Sequence, residues 1–186
     1  MMSVKHLTME ELEAGMETIL QTPKDHGEIK LIVRRPEIDQ REILDEGHLD
    51  LVEGLIGDNW KARGVGQNAQ RPANPDAQLT LMNARMIALL TQDEQSWPLA
   101  GDQLYVDLDL SDDNLPPGTQ LALGGALIEV SALPHTGCKK FMARFGLDAL
   151  EFVNSPQGKK LHLRGINTKI IQSGKICVGD VVRKVP

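Results

Sequence analysis

A cysteine and a histidine three residues apart are the best candidates for chemistry in this sequence. Cys138 follows Pro-His-Thr-Gly and precedes two lysines, and nearby cations stabilise a thiolate. His135 fits equally well as a base or donor beside the sulfur and as a residue that only completes a turn. Cys177 lies between Ile and Val in a strand-like pattern, where a cysteine usually packs. The sequence therefore predicts Cys138 as the reactive thiol.

The residues after the cysteine favour a reactive thiol as well. The letters KKFMARFG predict a short helix that begins near Lys139 and ends at Gly146. The partial positive charge of a helix N-terminus lowers the pKa of a thiol placed there. We therefore expect Cys138 to lie at the start of this helix.

Charge is divided unevenly along the chain. The net charge is −6, which argues against non-specific binding to a nucleic acid backbone. Residues 135–186 nevertheless contain ten Lys or Arg against three Asp or Glu. Cys138 opens this basic segment, which predicts a favourable field for a thiolate or an anionic ligand wherever those side chains face the thiol.

Length and composition predict one globular domain spanning 1–186. The N-terminus has no run typical of a signal peptide, and no window is apolar enough for a membrane helix, so we expect a cytoplasmic protein with no membrane partner. Two cysteines without a C-x-x-C or H-x-x-x-H pattern predict neither a disulfide framework nor a conventional structural metal site.

The first half of the chain mixes helix, strand and loop signals. Residues 7–20 show helical periodicity with a capping-box pattern at Thr8 and Glu11. EIKLIVRRP predicts a strand, and EIDQREILDEG after it predicts a short helix. Residues 51–78 are dense in Gly, Asn and Pro and predict a long loop. QLTLMNARMIALL fits strand and helix equally well.

From residue 103 onward the pattern is mostly β. QLYVDLDLS alternates strictly, which places four leucine or valine side chains on one face: Leu104, Val106, Leu108 and Leu110. TQLALGGALIEV predicts a hairpin with Gly124 and Gly125 at its tip. The last 28 residues predict two or three further short strands. Together these signals predict a mainly β (α+β) fold, a barrel with a few short peripheral helices.

The C-terminal half resembles a known family. GTQLALGGALIEVSALPHTGCKKFMARFG and FVNSPQGKKLHLRGINTKIIQSGKICVGDVVRK are similar to the MOSC domain, named for the C-terminal domain of molybdenum cofactor sulfurases, and above all to its small stand-alone bacterial members. The resemblance covers residues 50–186 and leaves residues 1–49 as a helix and strand extension. Where many members have a Gly-Glu-Asn type motif, this chain has GDQLYV, so no cofactor contact is assigned to that loop.

The resemblance implies a MOSC-like β-barrel, the molybdenum cofactor (molybdopterin) as ligand, and a site around the cysteine. In family members the cysteine of the PHTGC loop carries a persulfide or ligates molybdenum, and here that residue is Cys138, with His135 beside it. The same resemblance implies that the cofactor is bound by polar and basic residues matching the family's motifs or flanking the cysteine: Arg63, Lys139, Asn154, Arg164 and Asn167.

Three functions follow from the resemblance. The first is a molybdenum-cofactor-binding protein, as a small oxidoreductase for N-hydroxylated compounds, with a separate electron-donor reductase as partner. The second is a carrier that accepts persulfide sulfur from a pyridoxal phosphate-dependent cysteine desulfurase for the maturation of metal-sulfur cofactors. The third is a binding domain without catalysis. An acyl-transfer enzyme using Cys138 and His135 ranks last, because no third group that would orient the histidine is identified.

Overall fold

The computed structural model of the chain describes residues 4–64 and 70–186. Within these ranges the strands are Gly27–Arg34 (β1), Glu42–Leu44 (β2), Glu46–Asp50 (β3), Gly54–Leu55 (β4), Leu79–Asn83 (β5), Leu104–Asp107 (β6), Gln120–Leu123 (β7), Ala126–Val130 (β8), Ile166–Gln172 (β9), Gly174–Cys177 (β10) and Val181–Lys184 (β11). The α-helices are Met9–Ala14 (α1), Met16–Leu20 (α2), Trp60–Arg63 (α3), Ala84–Thr91 (α4), Lys139–Phe145 (α5), Leu147–Asn154 (α6) and Pro156–Lys160 (α7). Two 3-10 helices cover Pro75–Ala77 and Glu94–Ala100.

A closed β-barrel organises the fold, as the sequence predicts. In the described part of the chain, seven strands follow one another in the order β11, β7, β8, β9, β5, β6 and β1, and pairing of β1 with β11 closes the ring. β5 and β6 pair in parallel, whereas the other barrel neighbours are antiparallel. β2 extends the sheet beyond β1, and β10, β3 and β4 form a smaller sheet. Closure leaves few unpaired strand edges.

Side-chain alternation divides the core into two parts. The four residues predicted to share one face, Leu104, Val106, Leu108 and Leu110, all lie in the cluster inside the barrel, which confirms the prediction. Tyr105, on the opposite face of β6, packs in a second cluster between the barrel wall and the helices. α5 and α6 contribute to that second cluster, so the helix that follows Cys138 is anchored on the outside of the barrel.

The N-terminal segment differs from its prediction in two places. The capping box at Thr8 and Glu11 is present, but the predicted single helix is divided at Gly15 into α1 and α2. The prediction of a helix in EIDQREILDEG is wrong, because Glu42–Leu44 forms β2 and pairs with β1. Pairing with a strand already in the barrel outweighs a weak local helix preference. β1 itself, from the segment expected as an extension, is part of the barrel wall.

Later elements agree more closely with the sequence. The segment QLTLMNARMIALL, which fits strand and helix equally well in the sequence, forms both. Its first part is β5, and α4 follows directly. The hairpin at Gly124 is confirmed. The C-terminal segment supplies three strands, as predicted, but its first two residues, Lys159 and Lys160, belong to the end of α7. The predicted long loop contains β4, α3 and a 3-10 helix, while its residues 65–69 lie outside the described residues. No described helix has the length and apolar character needed to cross a bilayer.

Candidate functional site

A cavity of about 300 Å³ brings distant parts of the chain to Cys138. Five of the seven residues predicted for the site line it: Arg63 at the end of α3, His135 and Cys138 in the loop before α5, Arg164 before β9, and Asn167 in β9. The cavity thus forms where two loops and a helix meet the end of a barrel strand.

Cys138 is the N-cap residue of α5, immediately before Lys139, as the sequence predicts. Its backbone is extended, with φ −126° and ψ 176°, and its carbonyl accepts the first helical hydrogen bond, from Met142 N at 2.9 Å. The sulfur makes no capping hydrogen bond. Cys138 is exposed and is not in a disulfide, so the thiol is free to react or to bind a ligand.

Two asparagine side chains hold the loop that carries the cysteine. Asn154, the last residue of α6, accepts a hydrogen bond from Gly137 N at 3.0 Å and donates to Gly137 O at 3.2 Å. Asn167 donates to the carbonyls of Leu133 and Pro134 at 3.1 and 3.3 Å. Asn167 also lines the cavity, whereas Asn154 does not. The residue next to Cys138 is therefore fixed from α6, and the start of the loop is fixed from β9.

Asp102 is the buried centre of the site, and sequence reasoning missed it. Its side chain is fully buried and accepts a 2.6 Å hydrogen bond from Nη1 of Arg164. Arg164 also donates to Ala100 O at 3.0 Å, and its guanidinium lies 5.2 Å from the ring centroid of Phe141 in α5. The next residue, Gly165, has φ +108° and passes so close to β5 that a Cβ there would collide with the backbone of Leu81, so this position requires glycine.

His135 is neutral at ordinary pH. Burial first, and the charge of the neighbouring Arg164 second, lower the pKa of His135 to about 3, although Asp102 acts in the opposite direction. Its Nδ1 lies 3.6 Å from Oδ1 of Asp102. A neutral imidazole beside a buried carboxylate can accept or donate one hydrogen bond without adding charge to the cavity.

Arginines give the cavity its charge. Arg35 is neutralised, because it makes two 2.8 Å hydrogen bonds through Nε and Nη2 to Asp58. Burial and the charge of Arg35 lower the pKa of Arg63 to about 10, and burial together with Arg144 and Arg35 lowers the pKa of Arg41. Within residues 4–64 and 70–186, neither Arg63 nor Arg41 has a carboxylate within ion-pair distance. Such crowding of like charges favours an anionic ligand.

Acidic side chains also line the cavity, namely Glu37 and Asp39. Asp39 lies 3.5 Å from Nζ of Lys140 and 3.7 Å from Nη2 of Arg144, and all three residues line the cavity.

The predicted residue Lys139 is exposed and does not line the cavity, whereas its neighbour Lys140 does. Adjacent helical residues point about 100° apart, which separates the two lysines.

Unsatisfied polar atoms mark the same place. In the described part of the chain, four buried side-chain atoms lack a hydrogen-bond partner within the protein: Asn59 Oδ1, Asp102 Oδ1, His135 Nδ1 and Arg164 Nε. Three belong to residues that line the cavity, and Asp102 lies directly behind it. Because native structures satisfy most buried polar atoms, such a cluster points to a functional site.

The donor set limits the kind of metal the cavity suits. Among the described residues no group of three His, Cys, Asp or Glu side chains is arranged to hold a metal ion. Cys138 is one soft thiol beside an arginine cluster. This arrangement suits a metal that arrives on an anionic organic ligand better than a bare ion, since a bare ion needs several protein ligands.

Three charged residues of this site escaped sequence reasoning. Arg35 and Arg41 carry ordinary surface-like patterns in the sequence, and Asp102 lies in the stretch to which no contact was assigned. The double arginine at the end of the predicted strand LIVRRP was the one sequence feature that could have indicated a buried charge, because buried strand ends rarely carry charge without a partner. The contacts of Arg41 and Asp102 span 57 and 62 residues.

Comparison with known proteins identifies the fold. No family model matches the chain, and no curated protein sequence does. The solved structure of YiiM from Escherichia coli is similar, with a TM-score of 0.56 and 20% identity over 86% of this chain and 70% of that one. YiiM from Geobacillus stearothermophilus gives 0.57 and 15% over 86% and 75%, and YUAD from Bacillus subtilis gives 0.56 and 14% over 84% and 93%. These likenesses show a MOSC-like fold.

Proposed function

We propose that this protein binds the molybdenum cofactor in the arginine-lined cavity, with the Cys138 thiolate as a ligand of the metal. The observation that carries the proposal is the meeting of one exposed thiol with an incompletely neutralised arginine cluster in one cavity. The cofactor is an anionic, phosphate-bearing pterin with a soft metal centre, which requires a soft anionic ligand and cationic donors. The MOSC-like fold is consistent with this assignment.

The arginines supply the binding energy for the anionic part of the cofactor. Arg63 and Arg41 lack carboxylate partners among the described residues, so a phosphate would relieve their repulsion and accept charge-assisted hydrogen bonds. Arg164 is held by Asp102, with its buried Nε still unsatisfied, and Asn167 stands next to it in the wall. These four residues form the proposed cofactor-binding set, together with Cys138.

The loop residues keep the sulfur in place. Asn154 and Asn167 fix the chain on both sides of His135, which reduces the conformational freedom that Cys138 would lose on binding a metal. His135 remains neutral, so it leaves the net charge of the cavity to the arginines. Asn154 and Asp102 act as positioning residues in this scheme.

The proposed reaction is the reduction of an N-hydroxylated compound. When bound, the cofactor supplies a two-electron redox centre. Cleavage of the N–O bond consumes two electrons and two protons and releases water, so a separate reductase is proposed as the electron donor. The exposure of Cys138 leaves room for a substrate next to the proposed metal position.

The same exposure favours a second candidate, the persulfide carrier. A carrier must present its sulfur to a cysteine desulfurase and then to an acceptor, and an exposed thiol at the start of a helix meets that need. A sulfur adduct on Cys138 that a thiol reductant removes would favour this candidate over the first. An unmodified thiol and an empty cavity would favour a binding domain without catalysis.

Molybdenum and pterin content tests the proposal. The protein is purified from a host that makes the cofactor, as wild type, Cys138→Ser and the matched control Cys177→Ser, which removes the other free cysteine. We expect near-stoichiometric molybdenum and pterin in the wild type and in Cys177→Ser, and a large loss in Cys138→Ser. Equal content in all three proteins, or none in any, would contradict the proposal.

A further inference from the structure

Four arginine side chains converge on one short stretch of backbone in the wall of the cavity. The carbonyl groups of residues 98–101, at the end of the 3-10 helix Glu94–Ala100, each accept a hydrogen bond from a different arginine. The donors, in the order of the carbonyls, are Arg41 at 3.3 Å, Arg144 at 2.6 Å, Arg164 at 3.0 Å and Arg35 at 2.9 Å. Carbonyls at a helix end carry a partial negative charge that attracts cations. This segment therefore holds the arginines side by side.

Two of these arginines keep their charge although a carbonyl fixes each of them. Arg35 and Arg164 are each paired with a buried carboxylate. Arg41 has no carboxylate within ion-pair distance among the described residues. Arg144 has one such neighbour in the described ranges, Asp39, which lies 3.7 Å from Nη2 and has a side chain that is 65% exposed. An exposed partner at that distance contributes little, so Arg41 and Arg144 remain available to an anion.

A gap between Arg41 and Arg144 lies over Gly101. Gly101 lines the cavity and has φ +92°. A Cβ at this position would lie 3.9 Å from Nη1 of Arg144 and 3.9 Å from Nη2 of Arg41, so glycine leaves the space beside both guanidinium groups open. Burial first, and the charge of Arg144 second, lower the pKa of Arg41, as expected for two cations that share one cavity.

We propose that a phosphate group binds over Gly101, between Arg41 and Arg144, and that the carbonyls of residues 98–101 position both arginines for it. Nη2 of Arg41 and Nη2 of Arg144 donate no hydrogen bond to the described residues. Charge-assisted hydrogen bonds from arginine to phosphate are among the strong ones in proteins. The subsite itself does not require the molybdenum cofactor, and only the identity of the rest of the ligand rests on the proposed function.

The charge of the cavity favours a phosphate over a cation or a carboxylate. Among the described residues, six Lys or Arg side chains line the cavity against two acidic ones, Glu37 and Asp39. The buried Asp58 and Asp102 neutralise two of the six. An excess of two positive charges remains while Cys138 is a thiol. A phosphate monoester carries nearly two negative charges at neutral pH, whereas a carboxylate carries one.

Calorimetric titration with pyrophosphate tests the subsite, on the full chain from a host that does not make the cofactor. Gly101→Asp places a carboxylate between the two arginines. Its matched control is Gly118→Asp, at an exposed glycine with φ +90° and nothing within 4 Å of the Cβ position, which has comparable backbone strain and the same change in charge. Arg144→Gln removes one guanidinium group and tests the subsite if Gly101→Asp does not fold. Arg183→Gln, at an exposed arginine outside the cavity, is its control.

We expect saturable binding of pyrophosphate to the wild type and about tenfold weaker binding to Gly101→Asp and to Arg144→Gln. Both controls should bind as the wild type does. The subsite is overturned if the wild type shows no saturable binding, if the two Asp variants are weakened equally, or if Arg144→Gln binds as tightly as the wild type.

Molybdenum content distinguishes failure of this proposal from failure of the proposed function. Because the titration uses cofactor-free protein, the expected result supports the subsite even where the wild type from a cofactor-making host contains no molybdenum. Near-stoichiometric molybdenum in the wild type, together with unchanged pyrophosphate binding in Gly101→Asp, would overturn the subsite and leave the proposed function in place.

Discussion

Asp102 and Arg164 form a buried pair, with Oδ2 of the aspartate 2.6 Å from Nη1 of the arginine. The pair joins the residue after Gly101 to the segment before β9, and both side chains are less than one tenth exposed. Arg164 then contacts the ring of Phe141 in α5, the helix that Cys138 begins. The position of the thiol thus depends on a charge pair whose arginine lines the cavity and whose carboxylate lies behind it.

Removal of one partner of this pair should be costly. Asp102→Ala leaves the Arg164 guanidinium buried without its carboxylate, and we expect the free energy of unfolding to fall by about 3 to 5 kcal/mol. The matched control is Asp113→Ala, which removes an exposed pair with Lys160 and should cost less than about 1 kcal/mol. Urea unfolding of both variants measures the difference, and equal losses would refute a structural role for Asp102.

The acid stability of the protein should depend on His135. The pKa of His135 is lowered from 6.5 to about 3 in the folded protein. Between these values the unfolded chain binds a proton that the folded chain does not, so the free energy of unfolding falls as the pH falls, by at most about 1.4 kcal/mol per pH unit. His135→Gln should therefore unfold with a weaker pH dependence between about pH 7 and pH 4.5.

The control for this prediction is His48→Gln, which replaces an exposed histidine. It should keep the pH dependence of the wild type. Chemical unfolding at several pH values measures the slopes. A slope for His135→Gln that equals the wild-type slope would show that the folded protein accepts a proton on His135 as readily as the unfolded chain does.

The asparagine that holds the cysteine loop should control thiol reactivity. Asn154→Ala removes both hydrogen bonds to Gly137 and should cost about 1 to 2 kcal/mol of stability. It should also change the alkylation rate of Cys138 by iodoacetamide, measured in a Cys177→Ser background. Asn114→Ala, which removes two amide-to-carbonyl hydrogen bonds in another loop, should lower stability without changing that rate. Identical rates in both variants would rule out the positioning role of Asn154.

The arginine cluster should make the cofactor-free protein sensitive to phosphate. A ligand that binds only the folded state raises its stability in proportion to the logarithm of its concentration. We therefore expect millimolar pyrophosphate to raise the Tm of the wild type, and Arg63→Gln to lose most of that increase. Arg183→Gln, an exposed arginine outside the cavity, should respond as the wild type does. A response that survives in Arg63→Gln would locate the anion elsewhere.

Local signals allowed much of the fold to be predicted from sequence. The capping box at Thr8, the hairpin at Gly124 and the alternation of Leu104 and Val106 depend on residues close in the chain, so their patterns are visible in the letters. β2 was mistaken for a helix because, among the described strands, it pairs with β1 alone, and no local pattern records that pairing.

The site was predictable only in part. One cavity brings together five of the predicted residues, Arg63, His135, Cys138, Arg164 and Asn167, whereas Lys139 does not line it and its neighbour Lys140 does. Asp102 was missed because its partner lies 62 residues further along the chain. Which of two adjacent helical lysines lines a cavity, and which distant residues pair in the core, both depend on tertiary packing. Residue spacing in the sequence does not encode either of them.

Selenium spectroscopy at position 138 tests the central claim most directly. Cys138 is replaced by selenocysteine in a Cys177→Ser background, the protein is produced in a cofactor-making host, and X-ray absorption is recorded at the selenium edge. The account predicts a molybdenum neighbour bonded to the selenium, which would disappear when Arg63→Gln is added and the cofactor is lost. A sulfur neighbour in place of molybdenum would identify a persulfide carrier, and carbon as the sole neighbour would contradict both functions.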